Sequence, residues 1–163
     1  GEEITPNLHA LAREFCISDN FYAEVPNSDV GHLFLTAGHL TEYTERMWKE
    51  DVQFNLNAAF PFEEATMPAH GNLFTHLINH GVSTQIFGEI VGMMAQTAEG
   101  KNVLEYTDMS FPGGFLVNYS VTDTSKAEYV AQTIEDGLLA EFTYLLLPND
   151  HTNGTAPGTP SCS

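Results

Sequence analysis

Helix-type and strand-type patterns alternate along this chain, and their order constrains the fold more than any other feature of the sequence. The segment GNLFTHLINHG at 71–81 places apolar residues at helical spacing and ends on a glycine, and VSTQIFG at 82–88 predicts a short strand. SKAEYVAQTIEDGLL at 125–139 repeats the helical pattern, and EFTYLLLP at 141–148 has the apolar character of a strand in a buried sheet. Helices that alternate with strands predict an α/β layered fold with a largely parallel sheet.

The first part of the chain carries the same succession of patterns. TPNLHALAREF at 5–15 predicts a helix with Thr5 as the N-cap and Pro6 in the first helical position. The predicted inner face of this helix consists of the apolar residues Leu8, Leu11, Ala12 and Phe15. CISDNFYAEV at 16–25 predicts a strand, which runs into a loop that ends before Ser28.

A second helix is predicted to begin at Ser28, and TEYTERMW at 41–48 either continues it or starts another. Since no repeat or shift in composition divides the chain, we expect a single domain over residues 1–163. Residues 149–163, rich in Gly, Pro, Thr and Ser, predict a loop or disordered tail. Because the pattern starts on a helix and stops in a loop after a strand, we expect an internal, incomplete piece of a larger α/β domain.

The charge of the chain argues against several classes of partner. With 22 acidic and 5 basic residues, the formal net charge is -17, which opposes attraction to nucleic acid and to anionic membrane surfaces. No apolar run is long enough to predict a transmembrane segment, and the first residues lack the basic end and apolar centre of a signal peptide. Cys16 and Cys162 predict neither a disulfide framework nor a cysteine zinc site. An acidic chain that handles phosphate must neutralise it locally, which bound divalent cations can do.

Two loops that follow predicted strands carry reactive side chains. In α/β sheets, ligands gather at the carboxyl ends of the strands, where such loops begin. DNFYAEVPNSDVGH at 19–32 follows the first predicted strand, and PNDHTNG at 148–154 follows the last one. We therefore expect both loops to open on the same edge of the sheet.

The position of Ser28 allows two interpretations. Backbone N–H groups at a helix N-terminus bind anions, so a serine there can attack phosphorus if a metal ion or a base takes its proton. His32 lies four residues further on, on the same helical face. In the alternative interpretation, Ser28 is an ordinary N-cap and His32 is a surface or core histidine.

Asp150 and His151 are adjacent after the last predicted strand. Both side-chain types bind zinc or manganese, and aspartate also binds magnesium or calcium. The alternative is a turn formed by Asn149 and Asp150. His76 and His80 lie one helical turn apart with no carboxylate partner in the pattern, so we interpret them as the polar edge of their helix.

The residues ITPNLHALAREFCISDNFYAEVPNSDVGHLFLTAGHLTEYTERMW at 4–48 resemble a known family of phosphoesterases. Their runs TPN-x-H-A-L-A-R-E-F, D-N-F-Y and S-x-x-G-H are similar to those of bacterial phospholipases C and acid phosphatases, a branch of the alkaline phosphatase superfamily. GVSTQIFGE at 81–89 and LPNDHTNGTAPGTP at 147–160 are also similar to segments of that family. The resemblance spans nearly the whole chain.

The resemblance implies metal-dependent hydrolysis of phosphate esters on an alkaline-phosphatase-like layered sheet with helices on both faces. By position, Ser28 matches the transiently phosphorylated nucleophile, which is also a metal ligand, and His32 matches a substrate-binding group near the phosphate. Asp150 and His151 match the Asp-His loop that lines the metal site. The implied cofactor is a divalent metal (zinc, manganese, magnesium or calcium). The implied substrate is a small-molecule or lipid phosphate ester, and the implied location is exported or periplasmic in a bacterium.

Two alternatives to a phosphoesterase stay open. Relatives carry a metal-binding segment of the E-N-R type and a later segment with paired acids and a histidine, and this sequence contains neither. The first alternative is therefore a noncatalytic fragment or degenerate α/β domain with a binding or structural role. A serine hydrolase that acts on carboxylic esters is less favoured, because no G-x-S-x-G motif is present.

Overall fold

The computed structural model of the chain describes residues 1–23, 27–51, 64–89, 92–115 and 118–149. Within these ranges, the helices are α1 (Pro6–Glu14), α2 (Ser28–Ala37), α3 (Glu42–Asp51), α4 (Leu73–Asn79) and α5 (Asp123–Glu135), with short 3-10 helices at Glu64–Thr66 and Val103–Tyr106. The strands are β1 (Thr84–Phe87) and β2 (Phe142–Leu145). None of the helices in these ranges is both long and apolar enough to cross a membrane.

The strands β1 and β2 form a parallel two-stranded sheet, in which Thr84 pairs with Phe142 and Phe87 pairs with Leu145. Because parallel neighbours cannot be joined by a tight turn, the chain between them crosses over, and α5 lies within that crossover. The mixed α/β class and the parallel pairing predicted from the sequence are thus confirmed for the part of the chain that the structure describes.

The two faces of the sheet pack against different helices. On one face, Ile86 shares a buried cluster with Phe74 of α4, and the rings of Phe74 and Tyr144 meet edge to face with 5.3 Å between their centroids. Since side chains alternate along a strand, the neighbouring Phe87 turns to the other face. There the ring centroid of Phe87 lies 6.3 Å from that of Tyr129 in α5. Aromatic contacts therefore join α4 to one face of the sheet and α5 to the other.

Local signals explain why α4 is followed so closely by β1. Asn72 is the N-cap of α4: its Oδ1 accepts the Thr75 N–H at 3.0 Å, and the Thr75 hydroxyl accepts the Asn72 N–H at 2.9 Å. This reciprocal pair satisfies N–H groups that the helix itself leaves unpaired. Gly81, just past the helix, has a φ of 77°. This left-handed conformation, which glycine adopts without strain, turns the chain from the helix into β1.

The N-terminal segment departs from the sequence prediction. The helix α1 forms with Pro6 in its first turn, but none of its residues is buried, so the predicted inner face lies on the surface. The strand predicted at 16–25 is wrong over residues 16–23, where the structure has no strand and Phe21 is 83% exposed. A strand needs a neighbour for its backbone groups, and neither described strand pairs with this segment. Residues 24 and 25 lie outside the described ranges.

The helix predicted from Ser28 is present as α2. It ends at Gly38, which has a φ of 75° and donates its N–H to the Phe34 carbonyl at 2.8 Å. TEYTERMW therefore belongs to a separate helix, α3, rather than to a continuation of α2. Apart from Asn149, the tail predicted at 149–163 lies outside the described residues.

Candidate functional site

Ser28 is the first residue of α2, and Asn27 is the cap of that helix. The Asn27 Oδ1 accepts the Val30 N–H at 3.0 Å. The interpretation of Ser28 as the N-cap is therefore wrong, because the preceding residue, Asn27, caps the helix. Ser28 is exposed at the helix N-terminus, and within the described residues its hydroxyl is not needed to satisfy the first turn.

Buried residues further along α2 fix how this helix lies against the rest of the molecule. Val30 and Leu33 are buried, and Thr36, one turn after Leu33, is buried as well. The Thr36 hydroxyl donates to the His32 carbonyl at 2.9 Å, which satisfies it within the helix. Since one face of α2 is fixed by this burial, the positions of Ser28 and His32 relative to the sheet are fixed as well.

His32 contacts a buried carboxylate from the edge of the sheet. Its Nδ1 lies 2.7 Å from Oε2 of Glu89, a residue 57 positions away in the sequence. The Glu89 side chain is fully buried, whereas the His32 side chain is 25% exposed, so the imidazole lies between a buried acid and solvent. The contact brings a helix that carries Ser28 together with the end of β1.

Glu89 lies two residues beyond the last residue of β1, at the carboxyl end of the parallel sheet. This is the edge at which ligands gather in α/β folds. The intervening Gly88 has a φ of 85°, and a Cβ at this position would lie 3.0 Å from Cε1 of Phe111. Glycine is thus required both for the backbone conformation and for the close approach of Phe111. The tight turn at Gly88 leads the chain to the position where Glu89 meets His32.

Tyr144 of β2 is the second side chain that contacts Glu89. Burial of its ring raises the pKa of the Tyr144 phenol above its ordinary value, and the negative charge of Glu89 and a hydrogen bond to that carboxylate raise it further. The phenol therefore stays protonated beside the Glu89 carboxylate. Glu89 lies between this polar group from β2 and the imidazole from α2, and polar neighbours of this kind make a buried carboxylate tolerable in a protein interior.

The sequence singled out Ser28 and His32 but missed Glu89 and Tyr144. Glu89 was visible only as the last residue of the family-like segment GVSTQIFGE, and Tyr144 only as part of an apolar strand. The usable signal was an acid directly after a strand-plus-glycine pattern, at the predicted ligand edge of the sheet. Nothing in the local pattern could indicate its contact with His32.

The end of β2 leads to the predicted metal-binding loop. Asn149 and Pro148 are buried, and Asn149 hydrogen-bonds to Asp123 at the start of α5. Asp150 and His151, the predicted ligands next along the chain, lie outside the described residues. Among the residues that the structure does describe, no group of three or more His, Cys, Asp or Glu side chains is placed to hold a metal ion.

Four other histidines form two pairs of neighbouring, tilted rings on the surface. The ring centroids of His76 and His80 lie 4.2 Å apart, and those of His39 and His70 lie 4.5 Å apart. His76 and His80 are both exposed on and after α4, so their interpretation as a polar helix edge is confirmed.

Comparison of the chain with protein-family models, with curated proteins and with solved structures gives no match.

Proposed function

We propose that this chain carries the nucleophile of a metal-dependent phosphate-ester hydrolase, and that the nucleophile is Ser28. The observation that carries the proposal is the arrangement on α2. Ser28 is exposed at the helix N-terminus with Asn27 as the cap, and His32 lies one turn further on, where the buried Glu89 holds it. Because Asn27 caps the helix, the Ser28 hydroxyl does not serve as the cap. It lies at a helix end that attracts anions, where it can attack a phosphate.

In the proposed reaction, the Ser28 Oγ attacks the phosphorus of the ester, and the bond between phosphorus and the departing alcohol oxygen breaks. The proton that the Ser28 hydroxyl loses passes through solvent to the departing oxygen, so the alcohol leaves as the neutral species and Ser28 becomes phosphorylated. Water then attacks the phosphoserine, which releases inorganic phosphate and restores the hydroxyl. The N–H groups of Ser28 and Asp29 stabilise the negative charge of the phosphate, since Asn27 already accepts those of Val30 and Gly31. His32 binds one of the phosphate oxygens.

The proposed cofactor is a divalent metal ion: zinc, manganese, magnesium or calcium. Its ligands would be Ser28, Asp150 and His151, and it would supply positive charge that makes the serine hydroxyl more acidic and neutralises the phosphate. A chain with only 5 basic residues against 22 acidic ones has few cationic side chains for that purpose, which supports a metal in this role.

The proposal includes the phosphoesterase family of phospholipases C and acid phosphatases as the family of this chain. It also includes an alkaline-phosphatase-like layering, with helices on both faces of the sheet. The packing of α4 and α5 on opposite faces of β1 supports that layering, since such a sheet needs cover on both sides. The substrate would be a small-molecule or lipid phosphate ester, handled by an exported or periplasmic bacterial protein.

The test compares the wild-type chain with Ser28→Ala, using 4-nitrophenyl phosphate and bis(4-nitrophenyl) phosphate with each of the four metals. We expect Ser28→Ala to lose turnover on the order of 10³-fold or more, because it removes the attacking atom. Metal content, measured by elemental analysis, should fall far less than turnover, because Asp150 and His151 remain as proposed ligands. The matched control is Thr124→Ala, which removes an exposed hydroxyl from the first turn of α5 and should keep full turnover.

Full activity in Ser28→Ala would remove this serine from the mechanism. If the wild-type chain binds no metal and turns over neither ester, the alternative gains support: a noncatalytic fragment or degenerate α/β domain with a binding or structural role. The two esters also separate the substrate classes, since one is a phosphomonoester and the other a phosphodiester.

A further inference from the structure

We propose that Glu89 is the positioning residue of this site: its carboxylate fixes the orientation of His32 and holds the ring proton on Nδ1. The inference rests on the proposed function, because it assigns His32 to the binding of the substrate phosphate. It adds a residue from the sheet edge that the sequence patterns did not connect to α2.

His32 and Glu89 are in direct polar contact. The distance of 2.7 Å between Nδ1 and Oε2 is that of a strong, charge-assisted hydrogen bond. In the proposed arrangement Glu89 is ionised and has no proton to give, so the imidazole is the donor, through its Nδ1–H. The carboxylate thereby selects one protonation pattern of the ring, as second partners of functional histidines commonly do.

Glu89 also has a neighbour on another side, Tyr144 of β2. The Tyr144 phenol interacts electrostatically with the same carboxylate, and its ring packs edge to face on the buried Phe74. A group that must orient another residue needs fixed surroundings of its own. Tyr144, Glu89 and His32 therefore bring β2, the end of β1 and α2 together at one site.

The two side chains of the pair differ in their exposure to solvent. Glu89 is fully buried and His32 is 25% exposed, so the imidazole extends from the buried acid toward the surface that also holds Ser28. Rotation of the ring would break the bond at Nδ1, and the Nε2 edge therefore keeps one direction. In the proposed reaction, that edge binds a phosphate oxygen.

The test uses Glu89→Gln, which keeps the size of the side chain but removes its charge. An amide can either donate or accept, so it no longer selects one ring nitrogen for the proton. We expect kcat to fall about 10- to 100-fold for 4-nitrophenyl phosphate, the range typical for loss of such a partner, with a smaller change in KM. The matched control is Glu141→Gln at the other end of the same two strands, where Glu141 accepts from the Ser83 hydroxyl at 2.9 Å. The control should leave turnover unchanged.

Nitrogen-15 NMR of the His32 ring supplies a readout that is independent of turnover. In the wild-type chain we expect a hydrogen-bonded proton on Nδ1, and in Glu89→Gln we expect this signal to be lost or mixed. A merely structural contact would lower the thermal midpoint of unfolding and the turnover together, so both variants are also measured by thermal unfolding. Tyr144→Phe, which keeps the ring packing, should lower kcat by a smaller factor.

Three results would overturn the inference. One is a wild-type His32 ring whose proton lies on Nε2 and not on Nδ1, which needs no variant to measure. Another is unchanged turnover in Glu89→Gln while Ser28→Ala remains inactive; this outcome removes Glu89 and leaves the proposed function standing. The third is a wild-type chain without Ser28-dependent turnover, which removes the proposed function and the inference with it.

Discussion

Asn149 and Asp123 hold each other by two reciprocal hydrogen bonds between backbone and side chain. The Asp123 N–H donates to the Asn149 Oδ1 at 2.6 Å, and the Asn149 N–H donates to the Asp123 Oδ2 at 2.9 Å. Lys126, which is buried, donates to the same Asp123 carboxylate at 3.2 Å. This contact joins a residue four positions after the end of β2 to the first turn of α5, directly before the loop predicted to hold Asp150 and His151.

The first prediction follows from this pair. Asn149→Ala removes the side-chain amide, and it leaves the half-buried Asp123 N–H without this partner. We expect the free energy of unfolding to fall by about 1–3 kcal/mol, measured by urea denaturation. Gln132→Ala is the control: it removes a bond between the exposed side chains of Gln132 and Asp136 and should change stability by no more than about 0.5 kcal/mol. Equal effects of the two variants would mean that the pair does not stabilise the fold.

The sequence predicted those elements whose signals are local. The helix α4 begins after its cap Asn72 and is followed by Gly81, and β1 begins three residues later. The local sequence is therefore sufficient to predict both elements. The apolar character of β2 identified it as a strand, and its position after α5 implied parallel pairing with β1. The predicted burial of this strand is wrong, because all four of its residues are only half-buried.

The remainder depended on contacts between distant residues. The segment 16–23 has strand-like residues, but none of the described strands pairs with it. Ser28 and His32 were identified because they lie one turn apart on one helix. Glu89 was not, since it meets His32 only after the chain between them has folded. Hydrophobic periodicity predicts one helix or strand at a time, so it cannot predict a site formed by residues of two elements.

The second prediction concerns the turn that leads to Glu89. Gly88→Ala introduces a Cβ at a φ of 85°, and this atom would lie 3.0 Å from the Phe111 ring and 3.4 Å from the Leu146 carbonyl oxygen. Gly100→Ala is the matched control, because its φ of 79° is similar but no atom lies within 4 Å of the added carbon.

Both variants should lose about 1–2 kcal/mol of unfolding free energy through the left-handed backbone alone. Gly88→Ala should lose about 1–3 kcal/mol more, because Phe111 must move in a packed core. The comparison is made by chemical denaturation under identical conditions. If Gly88→Ala is no less stable than Gly100→Ala, the close approach of Phe111 does not constrain this turn.

The third prediction concerns alkaline pH and starts from Tyr144. Burial and the neighbouring Glu89 carboxylate raise the pKa of this phenol above its ordinary value of about 10. The folded chain therefore holds the phenol proton more tightly than the unfolded chain. Its contribution to stability is complete below about pH 10 and is lost as the pH rises above that value. Tyr129 adds a second contribution of the same sign, because burial and its hydrogen bond to Asp108 raise its pKa as well.

Tyr144→Phe should therefore give a stability curve that crosses that of the wild type. Near pH 8 the variant should be less stable by about 1 kcal/mol, because the buried Glu89 carboxylate loses a polar neighbour. Above pH 10, the wild type should lose up to about 1.4 kcal/mol per pH unit through this group, a loss that the variant lacks. The measurement is urea denaturation from pH 8 to pH 11, with Tyr119→Phe, at an exposed tyrosine, as the control that retains the wild-type slope. Parallel curves for wild type and Tyr144→Phe would show that burial and the Glu89 carboxylate do not raise the pKa of the Tyr144 phenol.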